Sequence, residues 1–187
     1  MGMGEPFHNY AAVRDSVSVL LDDHGLAFRQ KHITVSTVGR VKEMRRFAED
    51  FGGRVQLALS LHAGTDSTRR RIVPTARKYP MADMRAALLD VPLPGSRHHM
   101  IEYVVLPEVN DTPEELDALA TWMDGVDGIV NLIPFNPFPQ SPFRSPTDDE
   151  VRACHQALRD RGVHSSVRWP RGREASGACG QLMLAEG

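Results

Sequence analysis

Residues 98–134 read HHMIEYVVLPEVNDTPEELDALATWMDGVDGIVNLIP, and this stretch decides the fold. His98 to Leu106 is rich in β-branched and aliphatic residues and has the length of a strand. Thr112-Pro113-Glu114-Glu115 then marks a helix start, with a capping threonine, a proline in the first turn and a glutamate three residues on. Leu116, Leu119, Ala120 and Met123 follow at three- and four-residue steps, so one apolar stripe runs along the helix. Ile129 to Pro134 is a second strand run. Strand, helix and strand at this spacing make a βαβ unit, whose two strands lie parallel in one sheet.

The same alternation extends in both directions. His32 to Thr37, Val55 to Leu61 and Val163 to Arg168 are further strand runs, and Val13, Val17, Leu20 and Leu21 place an amphipathic helix near the start. Ser145-Pro146 is read as opening the last long helix, on which Val151, Cys154 and Leu158 share an apolar face; Cys154 there is a small core residue. Met1 to Glu5 reads as the carboxyl end of a strand running into Pro6 and a helix. The expectation is an α/β fold: a partial (β/α) barrel of mostly parallel strands, missing its first strand or strands, with residues 1–187 forming one domain. Such an edge would carry unpaired backbone groups.

Composition bounds the rest. A chain of 187 residues, 41% hydrophobic, buries one core. The mean hydropathy of -0.32 and the absence of a long uncharged apolar run predict no membrane span and a cytoplasmic protein. A net charge of -2 gives no global pull toward nucleic acid. The two cysteines, Cys154 and Cys179, suggest no disulfide framework, and neither they nor the eight scattered histidines show metal-ligand spacing, so no metal site is expected.

In parallel βα architectures the loops at the carboxyl ends of the strands converge on one face and carry function. Here those loops are polar and glycine-rich: Gly2 to Pro6, Ser36 to Gly39, Ser60 to Ala63, Asn131 to Asn136 and Arg168 to Arg173. Glycines let a ligand approach the backbone, the Glu5 carboxylate suits an ammonium group, and Ser36, Ser60 and Asn136 offer hydrogen bonds. Taken singly, Gly4 is a turn, Ser36 a helix cap, His62 a satisfied polar residue and Asn136 a turn former before Pro137. Five such loops on one face point to a small-molecule site.

Seven segments then carry a resemblance. Gly2-Met3-Gly4-Glu5-Pro6, Ile33-Thr34-Val35-Ser36-Thr37, Leu59-Ser60-Leu61-His62-Ala63, Glu102-Tyr103-Val104, Asn110-Asp111, Asn131 to Pro137, and Ala178-Cys179-Gly180-Gln181-Leu182 resemble, in order, the motifs of the RlmN/Cfr radical S-adenosylmethionine (SAM) RNA methyltransferases. The resemblance implies a barrel of the radical SAM type. It implies that Gly4 and Glu5 bind the aminoacyl end of SAM, that Ser36, Ser60, Leu61, His62 and Asn136 make its other contacts, and that Cys179 is the S-methylated cysteine. The reaction it implies is methylation of an adenine ring carbon through S-methylcysteine and a radical formed at a [4Fe-4S] cluster. RlmN-like members act on carbon 2 in 23S rRNA and some tRNAs; Cfr-like members act on carbon 8. The electron donor is of the flavodoxin type, and the enzyme is expected to be a monomer.

Cys179 also makes chemical sense by itself. Gly177, Ala178 and Gly180 keep its loop slim, and Arg168, Arg171 and Arg173 are near enough in sequence to lower a thiol pKa or hold phosphates. The family's CxxxCxxC cluster motif is absent, and Arg171-Gly172-Arg173-Glu174 and Ala175-Ser176-Gly177 depart from its usual spacer. The chain is therefore expected to be a fragment, a product of a misplaced start or a degenerate homologue, and by itself to cleave no SAM reductively. Two alternatives stand beside this reading: a non-catalytic SAM- or RNA-binding remnant, and an unrelated βα-barrel lyase using Glu5 and His62 as acid and base.

Overall fold

The computed structural model describes residues 4–169 apart from 92, 96, 139 and 140. Five strands, β1 (Thr34–Thr37), β2 (Gln56–Ser60), β3 (His99–Val105), β4 (Gly128–Pro134) and β5 (Ser165–Val167), form one sheet. Every neighbouring pair is parallel, and the spatial order is the sequence order. All five expected strands are present. The first begins two residues later than expected because residues Gln30–His32 wind into a 3-10 turn.

Helix α1 (Tyr10–Leu21) precedes β1, and the crossovers carry α2 (Val41–Phe51), α3 (Asp66–Ile72), α4 (Met81–Leu89), α5 (Pro113–Met123) and α6 (Asp148–Asp160). Parallel strands in sequence order, joined by crossovers of one hand, put successive helices on the same side of the sheet. The side chains agree. Val35, Leu57, Leu59, Ile101, Tyr103, Val105, Val130 and Leu132, which alternate to one face, are all buried in the core with Phe7, Phe47, Met44, Met84 and Leu119. The opposite face carries Ser36, Ser60, Glu102, Asn131 and Ser166 in the alternate positions. That face, on which Ala58, Met100, Val104, Ile129 and Ile133 also stand, is the inner surface of the partial barrel. Among the described residues no helix is long and apolar enough to cross a membrane.

Two helix starts differ from the sequence reading in detail. The last helix is capped not by Ser145-Pro146 but by Thr147, whose hydroxyl accepts from Glu150 N while the Glu150 carboxylate accepts from Thr147 N. That reciprocal pair satisfies two otherwise orphaned donors, which Ser145, two residues further out, cannot reach. At α5, Thr112 caps as expected, but the Glu115 carboxylate turns away toward another segment. Cys154 lies on the buried face of α6 with Val151 and Leu158, as read from the sequence.

Candidate functional site at the carboxyl edge of the sheet

Because the strands are parallel, their carboxyl ends share one edge. Ser36 is the third residue of β1, Ser60 ends β2 with Leu61 and His62 just beyond, and Asn136 follows β4 by two residues. Gly4 and Glu5 join the same edge through hydrogen bonds. Glu5 accepts from Thr37 Oγ1 (2.8 Å), Val38 N (2.8 Å) and Phe7 N (3.1 Å), which ties the entry segment to the end of β1. A carboxylate has about four acceptor positions, and the described residues leave one of them open. Gly4 has φ +92, with nothing within 4 Å of where a Cβ would stand, so glycine is required by conformation and leaves the backbone open. Ser36 lies on the inner face, and its hydroxyl makes no hydrogen bond among the described residues.

The β2 end is held more tightly. Leu61 is wholly buried in the core, its N donates to Glu102 O and its O accepts from Arg69 Nε, so it shapes the edge through its backbone. His62 has φ +63, the left-handed region that non-glycine residues seldom occupy. Its N donates to Glu102 O, its O accepts from Asn110 Nδ2 (2.8 Å), and its ring Nδ1 accepts from Val104 N (3.2 Å). Burial, reinforced by the Arg69 charge, pushes the His62 pKa down to about 4. At neutral pH the ring is therefore uncharged, with its proton on Nε2 as a donor. Glu5 is held by Phe7 N, Val38 N and Thr37 Oγ1, His62 by Val104 N, and among the described residues no hydrogen bond joins the two.

Three buried polar residues to which the sequence reading gave no part in this edge build it. Arg69 is fully buried; its Nη2 donates to Val38 O (2.7 Å) and Ser60 O (3.2 Å), its Nε to Leu61 O (3.1 Å) and its Nη1 to Tyr79 O (3.2 Å). It thus clamps the ends of β1 and β2. Asn110, also fully buried, donates to Val104 O as well as His62 O and accepts from Leu106 N, pinning the loop after β3 onto His62. Glu115 accepts from Gly64 N, Thr65 N, Thr65 Oγ1 and Thr68 Oγ1, fixing the loop between β2 and α3. In sequence Arg69 is one of three consecutive arginines, and nothing local marks it from Arg70 and Arg71. Asn110 was visible only as part of a family motif.

That loop passes hard against α5. A Cβ on Gly64 would overlap the Glu115 carbonyl oxygen and stand 2.9 Å from Leu119 N, both backbone atoms that cannot rotate away. Gly64→Ala is expected to cost about 1–3 kcal/mol, read as a lower urea midpoint with an unchanged slope. An unchanged midpoint would mean that the loop and helix separate freely.

Cys179, with Arg171 and Arg173, lies outside the described residues. Arg168, just past β5, donates its N to Leu132 O.

No family model matches the chain. Curated relatives do. A protein named dual-specificity RNA methyltransferase RlmN from Sorangium cellulosum is 42% identical over 184 residues, covering 98% of this chain and 47% of the relative. Its namesake from Magnetococcus marinus is 41% identical over 182 residues, covering 97% and 51%. The chain spans about half the length of the curated relatives it matches. Among solved structures, a radical SAM methyltransferase from Sphaerobacter thermophilus superposes with a TM-score of 0.89 at 41% identity, over 97% of this chain and 53% of that one. A domain of a pyruvate-formate lyase-activating enzyme from Bacteroides vulgatus shares the fold alone, with a TM-score of 0.63 at 15% identity over 89% of this chain and 95% of that one. With identity spread over nearly all of its residues and the same parallel sheet beneath them, the chain belongs to the RlmN family of radical SAM methyltransferases.

Proposed function

We propose that this chain supplies the SAM-binding edge and the methyl-accepting cysteine of an RNA methyltransferase acting on carbon 2 of adenine in 23S rRNA and tRNA. The reading rests on the 42% identity to a relative named dual-specificity RNA methyltransferase RlmN. Local chemistry supports it. SAM carries an ammonium, a carboxylate, a ribose and an activated methyl group on a sulfonium. The spare acceptor position of Glu5 suits the ammonium, the open backbone at Gly4 permits close approach, and Ser36 and the His62 Nε2–H offer hydrogen bonds. Ser60 and Asn136 stand at the same edge, and Leu61, next to Ser60, is fixed through its backbone by Glu102 and Arg69. Cys179 is assigned the methyl by its match to the family motif.

The described residues do not fit a [4Fe-4S] cluster. Their one cysteine, Cys154, is buried with its thiol pushed up to about 12 by desolvation, and no group of three or more histidine, cysteine or acidic side chains is placed to hold a metal among them. The test is therefore SAM binding by the chain itself, followed by titration calorimetry. Saturable binding is expected, weakened about tenfold or more by Glu5→Gln, which keeps the shape of the side chain and removes its charge. Absence of binding by the wild-type chain would overturn the reading.

A further inference from the structure

On the inner face of the sheet Ser60, Glu102, Asn131 and Ser166 fall in one register row, each directly opposite the next. Glu102 is 3% exposed and Asn131 7%. Ser166 Oγ donates to Asn131 Oδ1 (3.3 Å), and Asn131 Nδ2 donates to Glu102 Oε2 (3.0 Å). The chain of donors therefore ends on a carboxylate. Among the described residues Asn131 is the only side chain that donates to it, and none of them donates to its Oε1. Burial raises the Glu102 pKa, with Asn131 and the Arg168 charge pulling the other way.

A buried carboxylate with so little compensation is costly, and here it fixes nothing else. Glu5 and Glu115 take three and four donors and tie loops together. Among the described residues the Glu102 side chain caps no helix and bridges no loop; Asn131 orients it and leaves Oε1 open to a donor. Ser60, its neighbour on β2, belongs to the proposed SAM site, so a ligand touching Ser60 is one strand spacing, about 4.8 Å, from Glu102.

We propose that Glu102, oriented by Asn131, is a further ligand-contacting residue that accepts hydrogen bonds from the ribose hydroxyls of SAM. The inference rests on the SAM reading above. The ribose is selected over the ammonium by distance. Glu5 is bonded to the end of β1, and β3 lies two strands away, about 10 Å. An ammonium held at Glu5 is beyond the reach of Glu102, whereas the nucleoside of an extended SAM lies at that separation. Asn131 is a positioning residue, acting through the carboxylate.

The experiment compares SAM, 5'-methylthioadenosine and 5'-methylthio-2',3'-dideoxyadenosine binding to the wild-type chain, Glu102→Gln and Asn131→Ala, with thermal unfolding confirming that each variant is folded. Glu102→Gln keeps the shape and is expected to weaken SAM and 5'-methylthioadenosine about tenfold, the second because it lacks the aminoacyl end yet keeps the ribose. The dideoxy ligand should bind both proteins alike. Asn131→Ala should show a smaller loss with the same ligand pattern. Wild-type binding of SAM with an unchanged affinity in Glu102→Gln would overturn the inference and leave the SAM reading standing. An equal loss for the dideoxy ligand would overturn the ribose assignment, and no SAM binding by the wild type would overturn both readings.

Discussion

Replacing Cys179 by alanine, in a protein that carries this chain, is expected to abolish methyl transfer to RNA, by at least about 10³-fold, while SAM binding and thermal stability stay close to wild type. The expectation follows from bookkeeping on carbon. If one methyl group first becomes bonded to a protein sulfur and is then handed to an adenine carbon, no other route in the chain replaces that sulfur. Cys154 cannot serve. It is buried on α6, and desolvation pushes its thiol to about 12, so almost no thiolate is present at neutral pH. Cys154→Ala is the control, expected to cost about 1 kcal/mol through a small cavity and to leave transfer intact. Mass spectrometry of the peptide bearing residue 179 should show a methyl increment in the wild type alone. Full transfer by Cys179→Ala would remove the assigned nucleophile.

The second large effect is structural. Arg69→Ala is expected to destabilise the fold by about 3–5 kcal/mol, since it leaves the carbonyls of Val38, Ser60, Leu61 and Tyr79 without their shared donor and opens a cavity behind them. The guanidinium makes no ion pair among the described residues; burial lowers its pKa to about 10, with Asp66 pulling back, and carbonyl dipoles at the carboxyl ends of two strands hold the charge instead. Arg69→Lys should recover less than half of the loss, because an ammonium cannot reproduce a planar fork that spans three segments. Urea unfolding reads both variants. An Arg69→Ala midpoint near wild type would show that solvent replaces the donor at no net cost.

The strands were legible because each is a short apolar run between turn residues, and the parallel arrangement followed from the helical patterns between them. The shared edge was legible for the same reason: parallel strands in sequence order bring Ser36, Ser60 and Asn136 to one edge, which Gly4 joins through the Glu5 hydrogen bonds. What the sequence hid was polar residues whose work is three-dimensional. Nothing local marks Arg69 in its run of arginines, and Glu115 reads only as part of a helix start, because their partners are set by tertiary packing. Glu102 carried a local signal that went unused: a charged residue in mid-strand between Ile101 and Tyr103, on the face opposite the core. In a strand the alternation alone separates those faces.

A sheet whose spatial order copies its sequence order also has a direction in time. Each new strand as it leaves the ribosome finds its partner already made, one crossover upstream, so ordering can advance from β1 toward β5 without waiting for distant segments. The growing border is always the latest strand, and its unpaired backbone is covered by the next arrival. Synthesis that stalls before residue 128 would therefore leave β3, the sheet's central strand, exposed along a border of seven residues.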